Sequence, residues 1–179
     1  GHPEWVEIRF GDAVPLDEIV LVPAIRRDAE NGFRPDAFPT RFRVRAGTRD
    51  EPAGRVVAQY ADRQDAVSRI APLILPCNGV KASWIRIEAE QLSLRAFDER
   101  YVFQLSEVMV FSGAENVALH KPVAVSSVSE IPTVAWDRTY LVDGFVPYLM
   151  DAAQGGHSIA FIGPAQSSAG PHSLTIDLG

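Results

Sequence analysis

Trp5-Val6-Glu7-Ile8-Arg9-Phe10 places its aliphatic and phenyl side chains at every second position. That is the period of a strand buried on one face, since a helix would repeat at three and four. The same alternation runs through Phe42-Arg43-Val44-Arg45, Trp84-Ile85-Arg86-Ile87-Glu88-Ala89 and Leu174-Thr175-Ile176-Asp177-Leu178. Apolar runs at 19–22, 56–60 and 108–111, and a weaker one at 123–127, predict further strands. Gly11-Asp12, Asn31-Gly32, Pro52-Ala53-Gly54, Asn78-Gly79, Asp143-Gly144 and Gly155-Gly156 supply turn chemistry between them. No long helical pattern intervenes, and one helical turn is predicted near 134–140. Short strands separated by turns predict an all-β antiparallel sandwich or jelly roll, not βαβ units.

The composition agrees with a folded domain. The chain has 179 residues, 46% of them hydrophobic and 22% charged, ordinary values for a globular protein. A chain of this length buries roughly 70% of its unfolded surface and folds without a covalent staple. No apolar run approaches the roughly 20 residues of a membrane span. Seventeen basic against 23 acidic side chains give a formal charge of −6, which argues against nucleic acid as the main ligand. Cys77 is the only cysteine, so no intrachain disulfide forms, and a structural thiol is expected there.

The two ends of the chain match each other. Pro3-Glu4-Trp5-Val6-Glu7-Ile8-Arg9-Phe10-Gly11 aligns with Pro171-His172-Ser173-Leu174-Thr175-Ile176-Asp177-Leu178-Gly179, sharing Pro, Ile and Gly in register. The expectation is that the chain begins partway through one domain and ends at the equivalent strand of a second copy.

The residues resemble the discoidin family, the coagulation-factor C-type or galactose-binding-like domain. Trp5–Gly11 followed by Ile19-Val20-Leu21 is similar to its "W-x-x-I-D-L-G … I-x-x-V" strand pair. Phe38-Pro39-Thr40-Arg41-Phe42-Arg43-Val44 resembles its "P-T-R-F-x-V", and Trp84-Ile85-Arg86-Ile87 its "R-Y-V-R-I". Phe103-Gln104-Leu105-Ser106-Glu107-Val108-Met109-Val110-Phe111 resembles the closing "F-x-L-S-E-V-x-V". Asn116-Val117-Ala118-Leu119-His120-Lys121-Pro122-Val123 then resembles the "N-x-A-x-G-K-P-V" opening of a fresh domain, Leu141-Val142-Asp143-Gly144 its "A-V-D-G" and Ile176-Asp177-Leu178-Gly179 its "I-D-L-G". The resemblance implies a jelly-roll β-sandwich of the galactose-binding-like class. It also implies that residues 1–113 hold the later strands of one domain and residues 114–179 the opening strands of a second copy. A sandwich lacking its first strands exposes edges and an apolar face. Residues 114–179 are therefore expected to complete it, either within the chain in permuted order or between chains as a domain-swapped homodimer.

Two sites are predicted. By resemblance, a structural Ca2+ would lie between the Asp-Gly turn and the last strand, held by Asp143 and Glu107 with carbonyls of Ser106 and of residues 144–148. Calcium takes six to eight oxygens, and Phe145-Val146-Pro147-Tyr148 can give only carbonyls where metal-binding relatives carry further oxygen side chains. Without a cation, Asp143 caps its own turn and Glu107 pairs with an arginine or with backbone N–H groups. The second site is the long connection at 24–39. Arg26, Asn31, Phe33, Arg34 and Asp36 are the residue types that hold sugars, an aromatic for the ring face and planar polar groups for the hydroxyls. The plainer reading is an insert whose phenylalanines pack on the core. Trp136, Tyr140 and Tyr148 are expected in the core.

No G-x-S-x-G elbow, H-E-x-x-H pair or phosphate-binding loop occurs. His2, His120, His157 and His172 lack metal-ligand spacing. The expectation is a non-catalytic carbohydrate-binding or adhesion module of a larger protein that is secreted, periplasmic or at the cell surface, with a glycan as partner. The rival is a spacer or docking domain of a large hydrolase with no ligand of its own.

Overall fold

The alternation at Trp5–Phe10 belongs to a much longer strand than the sequence predicts. In a computed structural model, which describes residues 3–28, 32–61, 71–96, 98–128 and 137–146, β1 runs over Glu4–Pro23. It is followed by β2 (Ile25–Asp28), β3 (Gly32–Pro35), β4 (Arg41–Gly47), β5 (Arg55–Ala61), β6 (Leu73–Gln91), β7 (Ser93–Leu94), β8 (Tyr101–Val102), β9 (Leu105–Ser112), β10 (Glu115–Asn116) and β11 (Val123–Val125). A 3₁₀ helix covers Arg138–Val142, where one helical turn is expected. The architecture is all-β and antiparallel. Among the described residues, seven strands form one sheet in the order β10-β9-β1-β6-β4-β5, with β11 also on β1, while β2–β3 and β7–β8 form two small pairs.

Gly11-Asp12 and Asn78-Gly79, read in the sequence as turns between strands, are bulges inside β1 and β6. Pairing runs from Glu4↔Ala89 to Arg9↔Trp84, resumes at Val14↔Ala82, and breaks again between Leu16↔Val80 and Glu18↔Pro76. Gly11 takes φ 101°, and Asn78 and Gly79 take φ 53° and 73°, left-handed values that glycine and asparagine tolerate. Bulges bend a strand and interrupt its pleat. The core-facing positions of β1 accordingly switch from Val6, Ile8, Phe10 and Leu16 to Ile19 and Leu21. Both halves of β1 and β6 line one apolar cluster, so the bent sheet wraps around a single core.

Phe42 and Val44 of β4, Ile85 and Ile87 of β6 and Val108 and Val110 of β9 fill that core at 1% exposure or less. Phe38 and Tyr60 meet Phe42 there, Phe38 edge-on at 6.0 Å and Tyr60 stacked at 5.1 Å.

Two short strands beyond residue 113, β10 and β11, are part of this sheet. Asn116 Oδ1 accepts from Val110 N (3.1 Å) and Ala118 N (3.2 Å), and this seats Val117 and Ala118 in the core. β11 lies antiparallel on β1 with Val6↔Val125 and Ile8↔Val123. The 3₁₀ helix is capped by Asp137, whose Oδ1 accepts from Thr139 N, and joins the rest through His120 N donating to Val142 O at 2.7 Å. The predicted strand at 174–178, Trp136 and Tyr148 lie outside the described residues. Tyr140, expected in the core, is 44% exposed. Among the described residues, no helix is long and apolar enough to cross a membrane.

Candidate ligand-binding site

The outer face of the β1–β6–β4 ribbon carries the residues that alternation turns away from the core. Trp5, Glu7 and Arg9 of β1 stand opposite Glu88, Arg86 and Trp84 of β6, and these stand opposite Arg43, Arg45 and Gly47 of β4. Glu7 is 3% exposed although it lies on this outer face. Burying a carboxylate is costly unless it is paired, and here two guanidiniums pair with it. Arg9 Nε and Nη2 both approach Glu7 Oε1 at 2.7 Å. Arg86 donates from Nε (2.9 Å) and Nη2 (2.5 Å) to Glu7 Oε2. The Arg86 guanidinium also lies over the Trp5 ring, 4.4 Å from its centroid, with Trp84 at 5.9 Å, within cation–π range.

The connection between β4 and β5 rises beside this cluster, and Trp84 holds it in place. Trp84 Nε1 donates to Thr48 O at 3.1 Å. A Cβ on Gly47 or Gly54 would come within 2.4 or 2.5 Å of the indole ring, and Gly54 sits at φ 56°. The two glycines therefore let the loop close onto the indole. Arg45 ties the far side, donating to Ala53 O from Nε (3.0 Å) and Nη2 (2.7 Å) and to Gly54 O from Nη2 (3.0 Å). Between loop and sheet lies an open concavity of about 420 Å3, lined by Glu7, Arg9, Gly11, Thr48, Arg49, Pro52, Ser83, Trp84 and Arg86. The sequence hides this site, because its residues read as the ordinary solvent-facing half of alternating strands. Only the register shows that Glu7 and Arg86 meet.

The predicted sugar loop is a hairpin in the structure. β2 pairs with β3 and sets Arg26 opposite Arg34. Asp36 is engaged in holding it: its Oδ1 accepts from Ala96 N at 2.9 Å and lies 4.0 Å from Arg26 Nε. Its N–H donates to Ala24 O. Phe33 contributes backbone to β3, while its side chain and all of Asn31 lie outside the described residues. Phe38 packs in the core.

The predicted cation ligands come partly together. Glu107 of β9 is fully buried. Its Oε1 accepts from Gly144 N at 3.1 Å, and its Oε2 has no hydrogen-bond partner among the described residues. Burial pushes its pKa up to about 7, the Gly144 N–H opposes this, and the Asp143 charge adds to it. Asp143 also closes its own turn, accepting from Phe145 N at 2.8 Å. Ser106 precedes Glu107 in β9, and no side-chain bond joins it to the pair. An orphaned buried carboxylate oxygen beside a second carboxylate fits a cation. Among the described residues, however, no group of three or more His, Cys, Asp or Glu side chains could hold one.

Comparison with protein-family models, curated proteins and solved structures finds no match to this chain.

Proposed function

We propose that the chain is a non-catalytic binding module that recognises glycan, built as a jelly roll of the galactose-binding-like kind and carried by a larger protein that is secreted, periplasmic or at the cell surface. The observation that carries this reading is the concavity on the outer sheet face, where two guanidiniums are pinned by one buried carboxylate beside a loop fastened to Trp84. Planar N–H donors fixed in advance bind hydroxyl and oxyanion groups without an ordering cost at the moment of binding. Thr48 and Ser83 line the same space, and a hydroxyl group can donate as well as accept. The site lies on paired strands, a rigid support for recognition. The discoidin resemblance adds weight through its fold alone, and a fold does not itself assign a ligand. A Ca2+ held by Glu107 and Asp143 would be structural in this reading, fastening the Asp143-Gly144 turn to β9.

The test is a glycan array probed with the whole chain, followed by titration of the glycans that score. Binding that Arg86→Ala weakens supports the reading. Silence across neutral, acidic and sulfated glycans removes it and leaves a spacer or docking domain.

A further inference from the structure

We infer that the ligand of the concavity is an acidic glycan, whose carboxylate or sulfate groups are held by Arg9, Arg49 and Arg86; this rests on the glycan-binding reading and names the ligand class for that site.

The charge of the lining points this way. Three arginines and one glutamate line the space. Glu7 is occupied on both oxygens, Oε1 by Arg9 and Oε2 by Arg86, so it has little capacity left for a ligand hydroxyl. The clasp uses the Nε and Nη2 atoms of both arginines, and their Nη1 groups stand outside it. Arg49 is exposed and makes no hydrogen bond or ion pair with the described residues. Asp50 and Glu51 follow it in the loop but are not part of the lining. The concavity therefore has an excess of two positive charges on a chain whose formal charge is −6.

The aromatic residues point the same way. Neutral sugars are gripped through an apolar ring face laid on an aromatic one. Here Trp84 is 8% exposed and packed beneath Gly47 and Gly54, and the Trp5 ring carries the Arg86 guanidinium. The indoles hold the arginines and the loop in position and offer little open face of their own. What the concavity presents is guanidinium N–H, which pairs with carboxylate and sulfate oxygens in a forked geometry. The acidic residues elsewhere are screened over roughly 8–10 Å at physiological salt, whereas these contacts act at hydrogen-bond distance.

The experiment pairs each acidic polymer with its neutral counterpart: polygalacturonate with its full methyl ester, and dextran sulfate with dextran. The polygalacturonate arm reports carboxylate recognition and the dextran sulfate arm reports sulfate. Titration calorimetry uses the whole chain, Arg49→Ala, Arg9→Ala and, as an exposed control on β6, Lys81→Ala. Thermal melts establish that each variant is folded. The expected result is binding of at least one acidic polymer at least tenfold tighter than its neutral counterpart. Arg49→Ala should lose about tenfold in affinity, within the range of one charged hydrogen bond, and Arg9→Ala a similar factor, with Lys81→Ala unchanged. Equal binding of acidic and neutral members, unaffected by Arg49→Ala and Arg9→Ala, overturns the acidic assignment and leaves glycan binding intact. Equal losses in all three variants, or equally tight binding of single-stranded DNA, shows a bare polyanion effect and also overturns it. No binding to any of the four polymers or to the wider array removes the glycan reading itself.

Discussion

Glu7 and Arg86 stand directly opposite one another on β1 and β6, and Arg86 closes two nitrogens on one oxygen of the Glu7 carboxylate. Arg9, two residues along β1, takes the other oxygen. The three side chains form a unit, and its central member is the buried one.

Glu7→Gln removes the charge that both arginines share. Breaking a fully buried pair costs about 3–5 kcal/mol. Here the guanidiniums can turn to water, Arg9 with 69% and Arg86 with 33% of its side chain exposed. The expected loss is about 1–2 kcal/mol, read as a lower urea midpoint at unchanged slope. An unchanged midpoint would show that the clasp contributes nothing to stability.

Gly54→Ala places a methyl group 2.5 Å from the Trp84 ring and 2.7 Å from Ala46 O, at φ 56°. Overpacking of this kind costs about 1–3 kcal/mol, and the strained backbone adds to it. The variant should unfold earlier in urea and bind more weakly, because the loop can no longer close on Trp84. Wild-type stability would contradict the fastening described for this loop.

Glu107 makes stability depend on pH in a definite direction. Its pKa is raised from about 4.5 to about 7 in the folded protein. Between those values the folded chain keeps a proton that the unfolded chain has released. The Glu107 contribution is therefore fully present below about pH 4.5, falls as pH rises to about 7, and is lost above it. The span is on the order of 3 kcal/mol. The difference in urea stability between wild type and Glu107→Gln should shift in the variant's favour across this window. A constant difference would refute it. Adding Ca2+ at pH 8 tests the cation separately. A rise in melting temperature that a chelator reverses and Glu107→Gln abolishes supports it, and superimposed melts contradict it.

Cys77 is 2% exposed, and burial pushes its thiol up to about 11, with Asp17 and Glu18 adding to the shift. Thiolate is the reactive form, so a disulfide reagent at pH 8 should label the native protein only as fast as it opens. Rapid labelling without denaturant would place the thiol at the surface.

The sequence showed the fold class more clearly than the site. Alternation at Phe42–Arg45 and Trp84–Ala89 locates β4 and the second half of β6 correctly, because one-sided burial writes itself into a period of two. The same logic fails at Gly11-Asp12 and Asn78-Gly79, where turn-forming residues serve as bulges. Local conformational preference is the same for both, and only pairing with a neighbour tells them apart. The connection at 24–39 hides the β2–β3 hairpin, since Ile25-Arg26-Arg27-Asp28 has too little apolar content to mark a strand. The nearness of Glu107 to the Asp143-Gly144 turn was legible through resemblance, as a cation site, while the bond that joins them is the backbone N–H contact expected without a cation. Glu7, Arg49 and Arg86 were not legible, since they lie in three separate stretches of sequence that only the sheet register and the β4–β5 loop bring together.

The central claim is the location of the binding surface, and chemical-shift mapping with an acidic oligosaccharide on the isotopically labelled whole chain tests it most directly. The account predicts that the largest changes fall on backbone amides of residues 7–11, 48–52 and 83–86 and on the Nε resonances of Arg9, Arg49 and Arg86. Changes confined to the β2–β3 hairpin, or to the Asp143-Gly144 turn, would contradict it.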